Sequence, residues 1–336
     1  MATLASNVLT LMDWAKRLDP GGKTATVVEL LAQNNEILTD MMWMEGNLPT
    51  GHRTTQRTGL PTVYWRLINQ GVQPSKSTTV QVDEGVGMLE AWSEVDVDLA
   101  ALNGNTNEFR LSEASAFVES MNIEMAQTLF YGNSSTAPEE FNGLSVRFAT
   151  KSGAVNGENV IMGGGAGSDN TSIWLVVWGA NTIHGIFPKG SKAGLVHENK
   201  GMQTVENAGG VTGAKMDAYR DKWQWKCGIA LRDWRFVARC PNIDVSNLVA
   251  KSSAADLFDK MINMIHAVGP AKLRMGKPVF YMNRTVFAAL DIQRRDDVIT
   301  GGGLQYSNVD GQVNYSFRGI PVRICDAILE TESLVS

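Results

Sequence analysis

The chain is poor in the residues and runs that usually announce a chemistry. Its 336 residues include three cysteines, Cys227, Cys240 and Cys325, an odd number with no CxxC pair. That excludes a disulfide framework and fits synthesis in a reducing compartment. The four histidines, His52, His184, His197 and His266, have no HxH or HExxH spacing and read as loop or surface residues rather than zinc ligands. No block of lysine and arginine offers a DNA-reading surface, and the net charge of -5 gives no general attraction to nucleic acid or anionic membrane. The LTLM run near the start is interrupted by Asp13 and followed by Lys16 and Arg17, which is not the form of a signal peptide. The longest apolar run, Ile173 to Ala180, is far below the roughly 20 residues that span a bilayer. We therefore expect a soluble protein made inside the cell.

Catalytic motifs are missing as well. Residues 143–147 read GLSVR and lack the last glycine of a GxSxG elbow. Gly163, Gly164 and Gly165 are followed by neither GK[ST] nor a helix signal, so a loop is expected there rather than a phosphate cradle. Cys227 and Cys240 lie in apolar, strand-like runs where a buried structural thiol is the default. Arg294, Arg295, Asp296 and Asp297 read as a solvated charge cluster in a loop. No cofactor, no metal and no enzymatic activity are expected.

What is present is enough for a large core: 43% of residues are apolar and 19% charged. Residues 1–46 read as an arm, with a helix over about 6–18 and a second opening at a capping box of Thr26 and Glu29. From Asn47 to Leu99 the pattern is extended. Pro61–Asn69 has strand composition, GVQPSKST reads as a turn, and Thr78–Asp83 and Met88–Leu99 can return antiparallel. Leu111 to Gly132 is strongly helical. Leu111, Ala114, Val118, Met121, Met125 and Leu129 form its apolar stripe, Ser112 can cap it, and Gly132 can stop it in a left-handed conformation.

Further on, Leu144–Thr150 reads as a strand and Ile173–Trp178 as a strand buried on both faces. Residues 184–215 read as loop-rich. The segment from Lys222 to Asp244 reads as two strands with a bend. A helix capped by Ser253 and Asp256 carries the stripe Leu257, Met261, Ile265 and Val268 up to Gly269. Lys277–Tyr281 is a strand, Asn283 caps a helix to Leu290, and Gln312–Phe317 and Ile320–Ile328 close the chain, with Asp310 and Gly311 as a turn. Helices and strands alternate without a repeat, so the class is α+β.

Charge is unevenly distributed in the extended region. Residues 50–77 carry Arg53, Arg57, Arg66 and Lys76 and no acid, whereas 83–119 carry nine acids against one base, Arg110. A hairpin too thin to hold a core is stable mainly against another body. The split favours pairing in trans, with the basic limb of one copy over Glu94, Asp96, Asp98, Glu113, Glu119 and Glu124 of the next.

Seven segments, taken in order, carry a family resemblance: LLAQNNEIL at 30–38, EGNLPTG at 45–51, LPTVYWRLINQGV at 60–72, EVDVDL at 94–99, LFYGN at 129–133, EFNGL at 140–144 and FRGIPV at 317–322. In this order the chain resembles the major capsid proteins of tailed bacteriophages, with the Hong Kong 97-type fold. The resemblance implies an N-terminal arm over 1–46 and an extended β-hairpin loop over 47–96. A peripheral domain with connecting strands would comprise 97–150, 215–250 and 305–336, with a long spine helix at 112–131. An axial domain would comprise 151–214 and 251–304.

It further implies hexamers and pentamers in an icosahedral shell around packaged double-stranded DNA, held without sequence-specific contact. The shell would be assembled in host cytoplasm, carried in the virion, and involve no membrane. Because about forty-five residues precede the hairpin, a separate scaffolding protein is expected, together with a portal and a decoration protein. The type member cross-links subunits through a loop lysine; Lys76 is the one lysine of this hairpin, but the partner asparagine and glutamate have no match here, and it reads as a solvated turn residue. The alternatives are an encapsulin-like compartment shell, distinguished by enzyme cargo in place of DNA, and a cytoplasmic enzyme built on the Gly-rich loop and residues 294–297.

Overall fold

The computed structural model describes residues 33–104, 106–206, 212–296, 305–309 and 312–336, together with Leu9 and Asp13. The expected helices before residue 33, and the turn at Asp310 and Gly311, lie outside the described residues. Strands β1 (Trp43–Glu45), β2 (Gly51–Gly59), β3 (Thr78–Gly85) and β4 (Gly87–Asp96) precede helix α1 (Thr106–Tyr131). The middle of the chain holds β5 (Asn170–Trp178), β6 (Ile183–Phe187), β7 (Leu195–Glu206), β8 (Lys215–Leu231) and β9 (Val237–Asp244). Helix α2 (Leu257–Val268), β10 (Lys277–Met282), α3 (Arg284–Asp296), β11 (Gln305–Val309), β12 (Gln312–Phe317) and β13 (Ile320–Ile324) follow. The chain divides into two compact units: Met1–Gln33 with Met88–Met125 and Gly194–Lys226, and Asn34–Gly87 with Ala126–Ala193 and Cys227–Ser336. This division cuts across the expected segments 47–96, 97–150 and 151–214.

The larger unit is built around β5. It pairs antiparallel with β9 on one edge and with β10 on the other, so that Val176 lies opposite both Val237 and Val279. All nine β5 residues are buried, as expected for an apolar run covered on both faces. β10 continues in parallel to β13, which turns back through β12 to β11. One face of these strands receives α2, whose Leu257, Met261, Ile265 and Val268 are buried as their spacing predicts, and α3 through Val286, Phe287 and Leu290. Asp256 itself caps α2, accepting the Asp259 N–H at 3.1 Å, so the helix starts after Asp256 rather than at Ser253. Gly269 stops it at φ 89°.

On the other face, the Trp174 ring meets Phe130 and Phe148 at 5.9 and 6.2 Å, and the Arg239 guanidinium lies 4.9 Å from it. Arg239 Nη2 pairs with Glu332 at 2.8 Å, Ser172 and Tyr131 donate their hydroxyls to the same carboxylate, and all four side chains are buried or nearly so. Burial, followed by the nearby Glu332 charge, raises the Tyr131 phenol far above its ordinary range and keeps it a donor. Glu332→Ala leaves the Arg239 charge uncompensated in the core, and we expect a loss of about 3–5 kcal/mol in urea unfolding. A loss below about 1 kcal/mol, typical of exposed pairs, would count against this network.

In the smaller unit, β8 pairs with β7 from Leu195↔Trp225 to Glu206↔Lys215, and with β4 on its other side. Residues 106–125 of α1 belong to this unit. Phe117 stacks on Trp223 at 5.2 Å, Trp223 stacks on His197 at 5.1 Å, and Arg110 Nη2 meets the largely buried Asp221 at 2.8 Å. Phe109 packs with Val95, Leu99 and Ala100.

Several expectations are corrected. α1 begins at Thr106, because Glu108, Phe109 and Arg110 continue the helix upstream of Ser112 without a breaker. Met121, Met125 and Leu129 are buried as expected, but Leu111 is 72% exposed and Val118 41%. The large rings of Phe109 and Phe117 find partners instead and turn that half of the helix toward them. Gly132 is not left-handed; a Cβ there would lie 2.4 Å from the Phe141 carbonyl oxygen, so glycine serves a close backbone approach. Leu144–Arg147 is a short helix rather than a strand, and 184–215 contains β6 and most of β7 rather than loop alone. α3 runs past Leu290 to Asp296, so Arg294 and Arg295 are helical; their side chains are outside the described set. Pro61–Asn69 is not a strand, and β4 pairs with β8 rather than with β3.

Candidate functional site

The hairpin in the larger unit is β2 and β3, in register from Gly51↔Gly85 to Gly59↔Thr78, with a bulge between Arg57 and Gly59. Its tip, residues 60–77, has no strand pairing. Every residue from Leu60 to Gln81 is exposed, and among them Trp65 (103%), Ile68 (91%) and Val63 (87%) are as open as in an extended peptide. The turn is local: Asn69 takes φ 66°, Gln70 donates its N–H to the Leu67 carbonyl at 3.2 Å, and the Ser75 hydroxyl donates to the Thr62 carbonyl at 2.6 Å. A run of this composition suits a strand, yet no described strand pairs with it. Apolar surface of this extent marks an interaction site.

The basic candidates divide into two groups. Arg53 makes a bidentate pair with Asp83, directly opposite in the ladder, at 2.6 Å for both bonds. Its hydrogen bond holds the Asp83 carboxyl below the usual carboxylate range. Arg53 is thus satisfied in cis, contrary to the expectation of pairing in trans. Arg57, Arg66 and Lys76 are exposed and have no ion-pair partner among the described residues.

The acidic candidates belong to the smaller unit, where most are already engaged. Glu94 pairs with Arg220 at 2.8 Å, and two residues before it on the same strand face Trp92 receives the cations of Arg220 and Lys222 at 4.8 and 5.4 Å. One step further, Glu90 pairs with Lys222 at 2.9 Å and accepts from Gln224 Nε2 at 2.7 Å; the Lys222 bond is the main cause of its lowered pKa. Glu90, Trp92 and Glu94 thus meet Arg220, Lys222 and Gln224 as two alternating faces. The period-two placement of both triplets is a sequence signal, and only Glu94 was singled out from it. Asp96 caps the short helix Val97–Ala101 through the N–H groups of Asp98 (2.8 Å) and Leu99 (3.3 Å), which ends the alternation that put Asp98 on a strand. Asp98 and Glu124 are exposed, Glu113 is half-buried, and Glu119 accepts the Gln33 backbone N–H at 3.0 Å. The exposed Leu111 and Val118 share this helix with Glu113, Glu119 and Glu124.

The remaining groups offer little chemistry. Burial pushes the Cys240 and Cys325 thiols up to about 12 and Cys227 higher still, which removes them as nucleophiles near neutral pH. His52 and His184 are buried rather than on the surface, while His266 is exposed. In the Gly-rich loop, Gly163 and Gly165 donate their N–H groups to the Pro241 and Asn242 carbonyls at 2.8 and 2.7 Å, so those donors are not available to a phosphate. Among the described residues no cluster of three or more potential ligands could hold a metal ion, and no helix is long and apolar enough to cross a membrane.

Comparison with known proteins gives the context for these surfaces. The family described as major capsid protein GP7 matches residues 19–336. A chain in the solved structure of bacteriophage Epsilon15 is 34% identical, with a TM-score of 0.79 over 100% of this chain and 99% of that one. A chain from the capsid of a native GTA particle (10% identical, TM-score 0.45, covering 70% of this chain and 99% of that one) is a distant likeness that carries no weight. The same holds for a chain of the SrpI encapsulin complex from Synechococcus elongatus PCC 7942 (13% identical, TM-score 0.41, covering 70% and 96%). No curated protein matches the chain.

Proposed function

This chain belongs to the major capsid protein GP7 family, and from that membership we propose that its function lies in contacts between copies, with the tip at 60–77 as the principal contact. The protein is a phage major capsid protein, a structural subunit of the virion shell and not an enzyme. Its copies form hexamers and pentamers of an icosahedral head around double-stranded DNA. The single observation that carries the role of the tip is its exposed apolar run, accompanied by Arg57, Arg66 and Lys76, which have no ion-pair partner among the described residues. Large aromatic and arginine side chains of this kind are the usual anchors of protein interfaces.

The tip of one copy lies over α1 of the next, where Leu111 and Val118 offer apolar surface and Glu113, Glu119 and Glu124 opposite charge. α1 serves as the spine of a peripheral domain, and α2 and α3 with their strands serve as the axial domain. Residues 194–206 and 212–214, which fall in one unit with 88–125, go with the peripheral side. A separate scaffolding protein, a portal and a decoration protein complete the set of partners, on the strength of the family resemblance, and assembly takes place in host cytoplasm.

The charge component is tested by reversing Arg57, Arg66 and Lys76 together to glutamate. Arg53 is left intact because it pairs with Asp83. Exposed charges contribute little to stability, so the subunit should keep its unfolding midpoint within about 0.5 kcal/mol. Shell yield by sedimentation should fall at least tenfold at physiological salt. Shells formed in normal yield would show that these three cations do not choose the partner. Particles filled with enzyme cargo in place of DNA would point to an encapsulin-like shell, which no comparison above favours.

A further inference from the structure

At the root of the hairpin two imidazoles lie edge to face with ring centroids 5.5 Å apart: His52 on β2 and His184 on β6. Both are buried. Arg232, just beyond β8, directs Nη2 to His52 Nε2 at 3.3 Å and Nη1 to Asn181 Oδ1 at 3.1 Å. A guanidinium can only donate, so His52 Nε2 accepts, and the ring is the neutral tautomer protonated at Nδ1. Across the ladder from His52 stands Glu84 on β3, itself clamped by Arg147 of the Leu144–Arg147 helix at 2.5 and 2.6 Å. Among the described residues, neither His52 Nδ1 nor either ring nitrogen of His184 has a partner at full hydrogen-bond geometry, and the Gly179 carbonyl is only a weak acceptor near the His184 ring. The charged and titratable groups around the pair are thus Arg232, Arg147 and Glu84. Glu84 is already bound to Arg147, so among the described residues the one carboxylate that acts on the pair is engaged elsewhere.

We propose that the His52–His184 pair is an acid-sensitive catch: neutral, the two rings seat the hairpin root against β6, and uptake of a proton beside Arg232 releases it. The balance of groups supports this. Burial first, then Arg232 and His52, lowers the His184 pKa from 6.5 to about 4, against a small opposing effect of the Gly179 carbonyl. Burial and then Arg232 lower that of His52 as well, with Glu84 opposing. A ring whose pKa is lower when seated binds fewer protons in the closed state than when exposed. The seat is therefore firmest above pH 6.5 and weakens as the pH falls from 6.5 toward about 4.

Hydrogen exchange on the full-length subunit tests the catch, with rates corrected for their intrinsic pH dependence. Amide protection in 51–59 and 183–187 should drop at least tenfold between pH 7 and pH 4.5, while that of α2 stays constant. In His184→Phe the drop should be several times smaller, since only His52 remains to take up a proton. Should that variant fail to fold, His52→Gln serves in its place, and NMR titration of the two imidazoles in the parent gives a second readout. Unchanged protection in the parent, imidazoles that titrate near 6.5, or an equal drop in the ring variants would overturn the proposal. Any effect on assembled shells rests on the hairpin being the element that reaches a neighbour. Root exchange that rises with acid while shells are unaffected would overturn that role and leave the catch standing.

Discussion

Leu129→Asp should yield no folded subunit, whereas Leu111→Asp, in the same helix, should fold with a stability within about 0.5 kcal/mol of the parent. Leu129 is fully buried beside Phe130, and Leu111 is 72% exposed. The first substitution loses the burial of a core leucine, roughly 2–5 kcal/mol, and places a carboxylate in a fully buried position, a cost of several kcal/mol more. Together these consume the roughly 5–15 kcal/mol that holds a domain folded. Circular dichroism and urea titration of the two variants decide the matter. If both unfold, or both fold, the assignment of the buried face of α1 is wrong.

The second large effect concerns assembly alone. Replacing residues 61–76 by a short Gly-Ser turn leaves β2 and β3 in register and removes no buried side chain, since everything from Leu60 to Gln81 is exposed. The subunit should keep its circular dichroism and unfolding midpoint yet form no shells by electron microscopy or sedimentation. A central aromatic anchor is worth at least about 2 kcal/mol, close to thirtyfold in affinity, and on the proposed role of the tip a shell would repeat that contact at every subunit. Trp65→Ala alone should therefore raise the concentration needed for assembly by roughly thirtyfold. Shells that form at the parental concentration without the tip would remove it from the list of contacts.

What could be read from the sequence was whatever obeys a local rule. The apolar run Ile173–Trp178 is buried along its whole length within β5, and the expected stripe of α2 is buried at all four positions, with Met264 added to it. The order of helix, hairpin and strands was enough for the family. The errors fell where a local pattern has two outcomes. Pro61–Asn69 has strand composition, but a strand needs a partner, and no described strand pairs with it. Leu111 and Val118 fit a helical stripe as well as Phe109 and Phe117 do, and only the presence of Trp223 and of the Val95–Leu99 cluster selects the aromatic face. The alternating acids at 94, 96 and 98 looked like one free surface. Arg220 and the cap at Asp96 consume two of the three in cis, and neither partner is visible in a window of ten residues. The histidine catch was beyond local reading for the same reason, since His52 and His184 are far apart in sequence.

β5 also has a consequence for the timing of synthesis. The strands that cover its edges, β9 and β10, come later in the chain, and the second is complete only at Met282. At about 5–20 residues per second, a ribosome needs on the order of 5–20 seconds to make the roughly one hundred residues between the end of β5 and the end of β10. Throughout that interval NTSIWLVVW is an emerging, unpaired segment with the composition of an aggregating strand. Many copies made at once would expose many such segments together, so the yield of folded subunit should fall as the rate of synthesis rises, even where the finished contacts are strong.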